Sequence, residues 1–155
     1  MKMTEQKFST ENDVNDVSII QEVNFIHMPV SDIDEAINWY IKYLGCKGAH
    51  KVHEELASVN LPSGPTLLFI KTQHEERAKF LKNGQDYSIV GFITKDIEKA
   101  FASLKENGVR VHNFRDEGEV GKFFDFYDPD GNRFTIWGCP IEDYNSSINR
   151  TGELI

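Results

Sequence analysis

The segment Asp32-Ile33-Asp34-Glu35-Ala36 returns as Asp96-Ile97-Glu98-Lys99-Ala100, an offset of 64 residues. A repeat at that spacing limits the chain to folds built from two copies of one supersecondary unit. Each copy follows a short apolar stretch, Val23–Val30 before the first and Tyr87–Thr94 before the second. Each leads into a helical pattern that ends at a glycine. In the first helix Ile33, Ala36, Ile37, Tyr40, Ile41 and Leu44 fall three and four apart before Gly45. In the second, Ile97, Ala100, Phe101 and Leu104 precede Gly108. Asp32 and Asp96 stand where an N-cap carboxylate accepts backbone N–H groups and meets the positive end of the helix dipole.

After each helix the period changes from 3.6 to 2. Strands are expected at Lys47–His53, Leu56–Leu61 and Thr66–Lys71, then at Arg110–Phe114, Lys122–Tyr127 and Arg133–Trp137. Pro62-Ser63-Gly64-Pro65 and Asp128-Pro129-Asp130-Gly131-Asn132 mark turns, because proline presets φ and glycine accepts positive φ. His74–Leu81 reads as a short helix joining the halves. The organisation is thus a polar N-terminal tail over residues 1–18, a single domain over 19–139 and a C-terminal tail over 140–155. Within the domain lie repeat one (20–73), a linker helix (74–83) and repeat two (86–138). In the C-terminal tail Ile141, Tyr144 and Ile148 could cover an edge of the domain. One βαβββ half leaves a sheet face bare. Two halves can bury their helix-facing surfaces and curl into an incomplete barrel, an α+β architecture whose inner face opens to a ligand.

Composition narrows the function classes. Hydrophobic residues at 39% and charged residues at 27% suit a globular chain able to bury one core. A formal net charge of −8 argues against nucleic acid, whose phosphates are held mainly by Lys and Arg. That charge would mildly favour a cationic ligand, although its plainer meaning is solubility. No apolar run is long enough to span a bilayer, and the polar N-terminus carries no apolar signal stretch, so a cytoplasmic location is expected. Cys46 and Cys139 form no CxxC pair and read as reduced, structural thiols. Phosphate-loop, dinucleotide and nucleophile-elbow motifs do not occur.

The segments MPVSDIDEAINWYIKYLG (28–45), GFITKDIEKAFASLKENGV (91–109) and FFDFYDPDGNRFTIW (123–137) together resemble the vicinal oxygen chelate superfamily of glyoxalases, bleomycin-resistance proteins and dioxygenases. The resemblance covers residues 20–138. It implies a divalent cation at the bottom of the cup, acting as a Lewis acid on adjacent substrate oxygens. Carried over position by position, however, the family's metal ligands fall at Phe25, Leu68, Ile89 and Thr135. Three are hydrocarbon and the fourth is a neutral hydroxyl, a poor sole anchor for a metal that wants several oxygen or nitrogen donors.

His27, two positions beyond Phe25, shares its side of the strand and could be a general base, a hydrogen-bonding group or a displaced metal ligand. The plainer reading is a buried histidine bonded to a carbonyl or a tyrosine hydroxyl. His50 and His53 fall on opposite strand faces, which spoils chelation, and read as exposed. His112 could line the cup, and His74 belongs to the linker surface. Arg115-Asp116-Glu117-Gly118-Glu119 could attract a cation or gate the cup, or be a solvated hairpin end. Trp39 reads as packing, while Phe92, Phe124, Phe126 and Trp137 are candidates for an apolar cup wall that stacks on a flat ligand. The expected ligand-binding set is therefore Phe25, His27, Leu68, Ile89, Phe92, His112, Phe124, Phe126, Thr135 and Trp137.

Three functions compete at this point. The first is metal-independent binding of a small organic molecule by sequestration or sensing, without a cofactor. The second is a lyase, isomerase, dioxygenase or thiol transferase with a rearranged site around His27, His112 and Thr135, where a divalent metal would enter. The third is an interaction module whose cup is filled by its own side chains. The resemblance also implies a homodimer, formed by pairing edges or exchanging halves.

Overall fold

The computed structural model describes residues 18–140. The proposed covering residues Ile141, Tyr144 and Ile148 lie outside that range. Repeat one consists of β1 (Phe25–Val30), α1 (Ile33–Leu44), β2 (Lys47–His53), β3 (Leu56–Asn60) and β4 (Thr66–Lys71). A hairpin of β5 (Lys79–Lys82) and β6 (Gln85–Ser88) follows. Repeat two comprises β7 (Val90–Thr94), α2 (Ile97–Glu106), β8 (Arg110–Asp116), β9 (Lys122–Tyr127) and β10 (Arg133–Gly138).

Both helices start as the sequence dictates. Asp32 accepts from the Glu35 amide at 2.8 Å and Asp96 from the Lys99 amide at 3.1 Å, each satisfying one free N–H of the first turn. Gly45, at φ 72°, closes α1 with its N–H on the Ile41 carbonyl.

The two four-stranded sheets have matching orders, β1-β4-β3-β2 and β7-β10-β9-β8, with one parallel pair in each (β1 with β4, β7 with β10). Alternation then sorts every strand into two faces. Met28, Val30, Ala57, Val59, Leu67 and Phe69 turn to the helix side of sheet one, as Phe124, Phe126, Phe134 and Ile136 do in sheet two. Burying each such large side chain contributes about 1.5–3 kcal/mol. α1 joins the two cores. The Tyr40 ring lies 4.7 Å from Phe69 of sheet one and 6.2 Å from Phe134 of sheet two, and Trp39 stacks on Phe126 at 6.4 Å.

Two expectations need correction. The linker helix does not form among residues 74–83. Asn83 and Gly84 both take positive φ (52° and 76°), giving a two-residue turn that pairs Lys82 with Gln85. Asn-Gly is the residue pair such a turn demands, and it overrides the helical spacing of the flanking apolar residues. The expected strand Tyr87–Thr94 is also divided, with Ile89 between β6 and β7.

Candidate functional site

The parallel and antiparallel registers place two equivalent rows across the faces turned away from the helices. In sheet one the row runs His27, Leu68, Ser58, His50, and in sheet two Gly91, Thr135, Asp125, His112. The row of sheet two opens onto a pocket of about 430 Å³ lined by residues of β6 to β10 alone, among them Gln85, Ser88, Arg115, Phe123, Asp125 and Arg133. The first repeat contributes nothing to its lining, so this pocket is not the cup shared by both halves that the repeat suggests. The physical reason is α1, whose aromatic residues press on both sheets from the same side and leave each open face turned away from that layer.

Asp125 is the centre of the pocket and is almost wholly buried. Its Oδ2 accepts from Arg133 Nη2 at 3.0 Å, Arg115 Nη1 at 3.2 Å and Asn113 Nδ2 at 3.3 Å. Its Oδ1 accepts from Thr135 Oγ1 at 2.6 Å. A carboxylate offers about four lone-pair sites, two on each oxygen, so three donors crowd Oδ2 while Oδ1, bonded to Thr135, keeps one lone pair. Thr135 has one hydroxyl hydrogen and gives it to the carboxylate. The 2.9 Å contact with Ser88 Oγ is therefore a bond that Ser88 donates.

Arg133 Nη1 donates to the Tyr127 hydroxyl, which donates in turn to Asp86 Oδ2 at 3.3 Å. Asp86 also accepts from Lys79 Nζ at 2.9 Å, and that ammonium holds its carboxyl below the usual carboxylate range. Arg133 Nε is enclosed and has no hydrogen-bond partner among the described residues. An unmade bond from a buried donor costs about 1–3 kcal/mol.

The ten residues expected to bind ligand divide by strand face. Thr135 is in the pocket. Trp137 shares its face, stacks on Phe123 at 6.5 Å and donates from Nε1 to the Val120 carbonyl at 2.7 Å. Phe25, His27 and Leu68 lie on the open face of sheet one, outside the pocket. There Phe25 is 49% exposed and packs its ring 5.0 Å from His27. His27 is exposed, contrary to the plainer reading of a buried, bonded histidine. Ile89 is exposed between strands, and His112, exposed at the far end of its row, does not line the pocket.

Phe124 and Phe126 were expected in the cup wall and are instead fully buried on the helix side. There they face Phe101 and Phe114, and Trp39 and Phe134. Register decides this, because both flank Asp125 and so must point away from it. Phe92 lies on that same side, stacked on Phe134 at 4.9 Å. It borders a second, more apolar groove of about 920 Å³ between the repeats, lined also by Ile26, Leu61 and Leu104. Trp39 packs as expected. His50, His53 and His74 are exposed, with His53 Nδ1 accepting from the Glu55 amide at 3.1 Å.

The residues that sequence reasoning missed are Asp125, Arg133, Tyr127, Ser88 and Asp86, while Arg115 enters there only as the first residue of a loop that could attract a cation or gate the cup. One signal was available: in Lys122-Phe123-Phe124-Asp125-Phe126-Tyr127 a lone carboxylate interrupts an aromatic strand, and such a group must find partners if buried. For a divalent metal the fit is poor. The four family ligand positions hold Phe25, Leu68, Ile89 and Thr135, and the Thr135 hydroxyl is already committed to Asp125. Among the described residues no three His, Cys, Asp or Glu side chains converge.

The sequence model of the glyoxalase/bleomycin resistance protein/dioxygenase superfamily matches residues 22–136. No curated protein matches the chain. Among solved structures, a superfamily member from Sphaerobacter thermophilus superposes with a TM-score of 0.62 at 22% identity, covering 78% of this chain and 99% of that one. TnmS3, an antibiotic binding protein from Streptomyces sp. CB03234, gives 0.60 at 22% identity, with 79% and 99% covered. Lactoylglutathione lyase from Agrobacterium tumefaciens gives 0.59 at 16% identity, with 78% and 96% covered. At such identities these likenesses speak for the fold alone. No helix among the described residues is long and apolar enough to cross a membrane.

Proposed function

Because the chain belongs to the glyoxalase/bleomycin resistance protein/dioxygenase superfamily, we propose that it is a metal-independent member that sequesters or senses a small organic molecule on the open face of sheet two. One observation carries the reading: the centre of that pocket is a buried carboxylate already held by four protein donors, two of them arginine guanidinium groups. Such a group, paired with two guanidinium cations and with no three His, Cys, Asp or Glu side chains converging among the described residues, is a poor anchor for a Lewis-acid metal. The pocket, at about 430 Å³, is within the usual range for small-molecule sites, and Phe123 supplies an aromatic wall. An antibiotic-binding protein among the structural neighbours is in keeping with this reading.

The same reading includes a homodimer and residence in the cytoplasm. Phe25, Ile70 and His27 share an open face of sheet one that no other element of the described residues covers, and a second copy would bury it. Free Cys46 and Cys139 suit a reducing compartment.

Native mass spectrometry and elemental analysis of protein purified without added metal test the proposal together. The expected result is a dimer carrying no stoichiometric metal and able to retain an organic molecule. A divalent metal bound near one per chain, and lost on His27→Ala, would overturn it in favour of the enzymatic reading.

A further inference from the structure

We infer that the ligand of the sheet-two pocket is an organic anion, a flat carboxylate or equivalent oxyanion seated against Arg115 and Arg133. This deepens the binding reading above and rests on it. The overall charge of −8 would suggest the opposite sign, but the donors on the pocket wall decide.

The polar groups form one chain of contacts, Lys79 to Asp86, Asp86 through Tyr127 to Arg133, Arg133 to Asp125, and Asp125 to Arg115. Three cations face two carboxylates along it, and Glu117 beside Arg115 makes the carboxylates three. Glu117, the remaining carboxylate nearby, is half exposed and sits 3.6 Å from Arg115 Nε.

The open hydrogen-bond donors point to an anion. Asp125 already accepts four protein donors, three of them on Oδ2. Asp86 takes the Lys79 ammonium and the Tyr127 hydroxyl on one oxygen, so its charge is answered within the fold. The donors open to a visitor lie on Arg115 and Gln85. Arg133 lines the pocket as a second guanidinium, although its unpartnered Nε is enclosed. Arg115 gives Nη1 to Asp125 and the Asn113 carbonyl, and its Nη2 takes no partner among the described residues. The Gln85 amide lines the same wall. Guanidinium forks match planar oxyanions in geometry as well as charge. Arg115 also lies 5.2 Å from the centroid of the Phe123 ring, so an acid group beside the guanidinium brings its ring system against Phe123.

Isothermal titration with three probes of one shape, 2-naphthoate, 2-naphthamide and 2-naphthylmethylammonium, tests this on the full chain, with benzoate and benzamide as a smaller pair. The carboxylates should bind at least tenfold tighter than their amides, the ammonium should bind weakest, and raising the salt should weaken only the carboxylates. Arg115→Gln, at a partly exposed position, should erase the preference. Arg133→Gln should do the same, and if that buried substitution fails to fold, Arg115→Gln alone decides. Equal or tighter binding of an amide or the ammonium would overturn the anion assignment while leaving the pocket as the site. No binding by any probe, with crude cell extract also leaving nothing retained on the protein, would sink the site and the function proposed for it together.

Discussion

The Tyr40 hydroxyl donates to Asp128 Oδ2 at 2.7 Å across 88 residues of sequence, inside the protein. The contact belongs to a knot. Asp128 Oδ1 accepts the amides of Asp130 and Asn132, and the Asn132 side chain bonds both the Pro29 carbonyl and the Ala78 amide. Asp130 also accepts from the Ser31 amide at 3.0 Å. The turn before β10 thereby ties repeat two to both ends of the β1–α1 junction and to the start of β5. Tyr40→Phe leaves a buried carboxylate short of one donor, and should lower stability by about 1–3 kcal/mol. Urea unfolding followed by tryptophan fluorescence measures it. A loss within a few tenths of a kcal/mol would show that the knot does not hold the repeats together.

The same carboxylate gives a signed pH dependence. Burial raises the Asp128 pKa above the ordinary carboxylate range, outweighing the Tyr40 and Asn132 hydrogen bonds that lower it. A raised native pKa means the native state binds the extra proton. Its contribution to stability is therefore full below the ordinary carboxylate pKa and is lost as pH rises through the native value. Asp86 and Glu98, held low mainly by their hydrogen bonds to Lys79 and Lys122, act in the opposite sense at more acidic pH. Stability of the wild type minus that of Asp128→Asn should fall as pH rises above the ordinary carboxylate range. A difference that rises with pH would refute the assignment.

Cys46 and Cys139 should react differently with a thiol reagent. Burial pushes the Cys46 thiol up to about 11, while Cys139 is only partly buried. The thiolate is the nucleophile, so at pH 8 Cys46 is both enclosed and protonated. Ellman's reagent should titrate one thiol per chain in native buffer and a second only in denaturant. Two fast thiols in the native protein would contradict the packing at the C-terminus of α1.

Local chemistry made much of the fold legible. The two aspartate caps, the glycine that ends α1 and the turn over 128–132 are each written in a few neighbouring residues, and the structure places them as the sequence implies. The hairpin at Asn83-Gly84 was written there too, but helical spacing in the flanking residues masked it. The site was harder. Which face of β9 carries Phe124 and which carries Asp125 depends on pairing with β10, a partner known only once the sheet is assembled. Aromatic residues on these strands look equally suited to a ligand wall and to a helix-facing core. Arg115 and Arg133 lie eighteen residues apart in the sequence, and only Asp125, bonded to both, brings them together.

Thr135 offers the sharpest link between that network and the function proposed for it. Its hydroxyl occupies Asp125 Oδ1 at 2.6 Å and receives the Ser88 hydroxyl. Thr135→Val keeps the shape of the side chain but removes the donor, which frees one lone pair of a buried carboxylate. Stability should drop by about 1–3 kcal/mol. The freed oxygen also adds an acceptor to a pocket argued above to present donors. The variant should therefore bind 2-naphthoate more weakly while losing less affinity for 2-naphthamide, narrowing the gap between them. Thr135→Ser, which restores the hydroxyl, should recover the wild-type gap. If valine leaves both affinities unchanged, Asp125 does not set the polarity of the pocket.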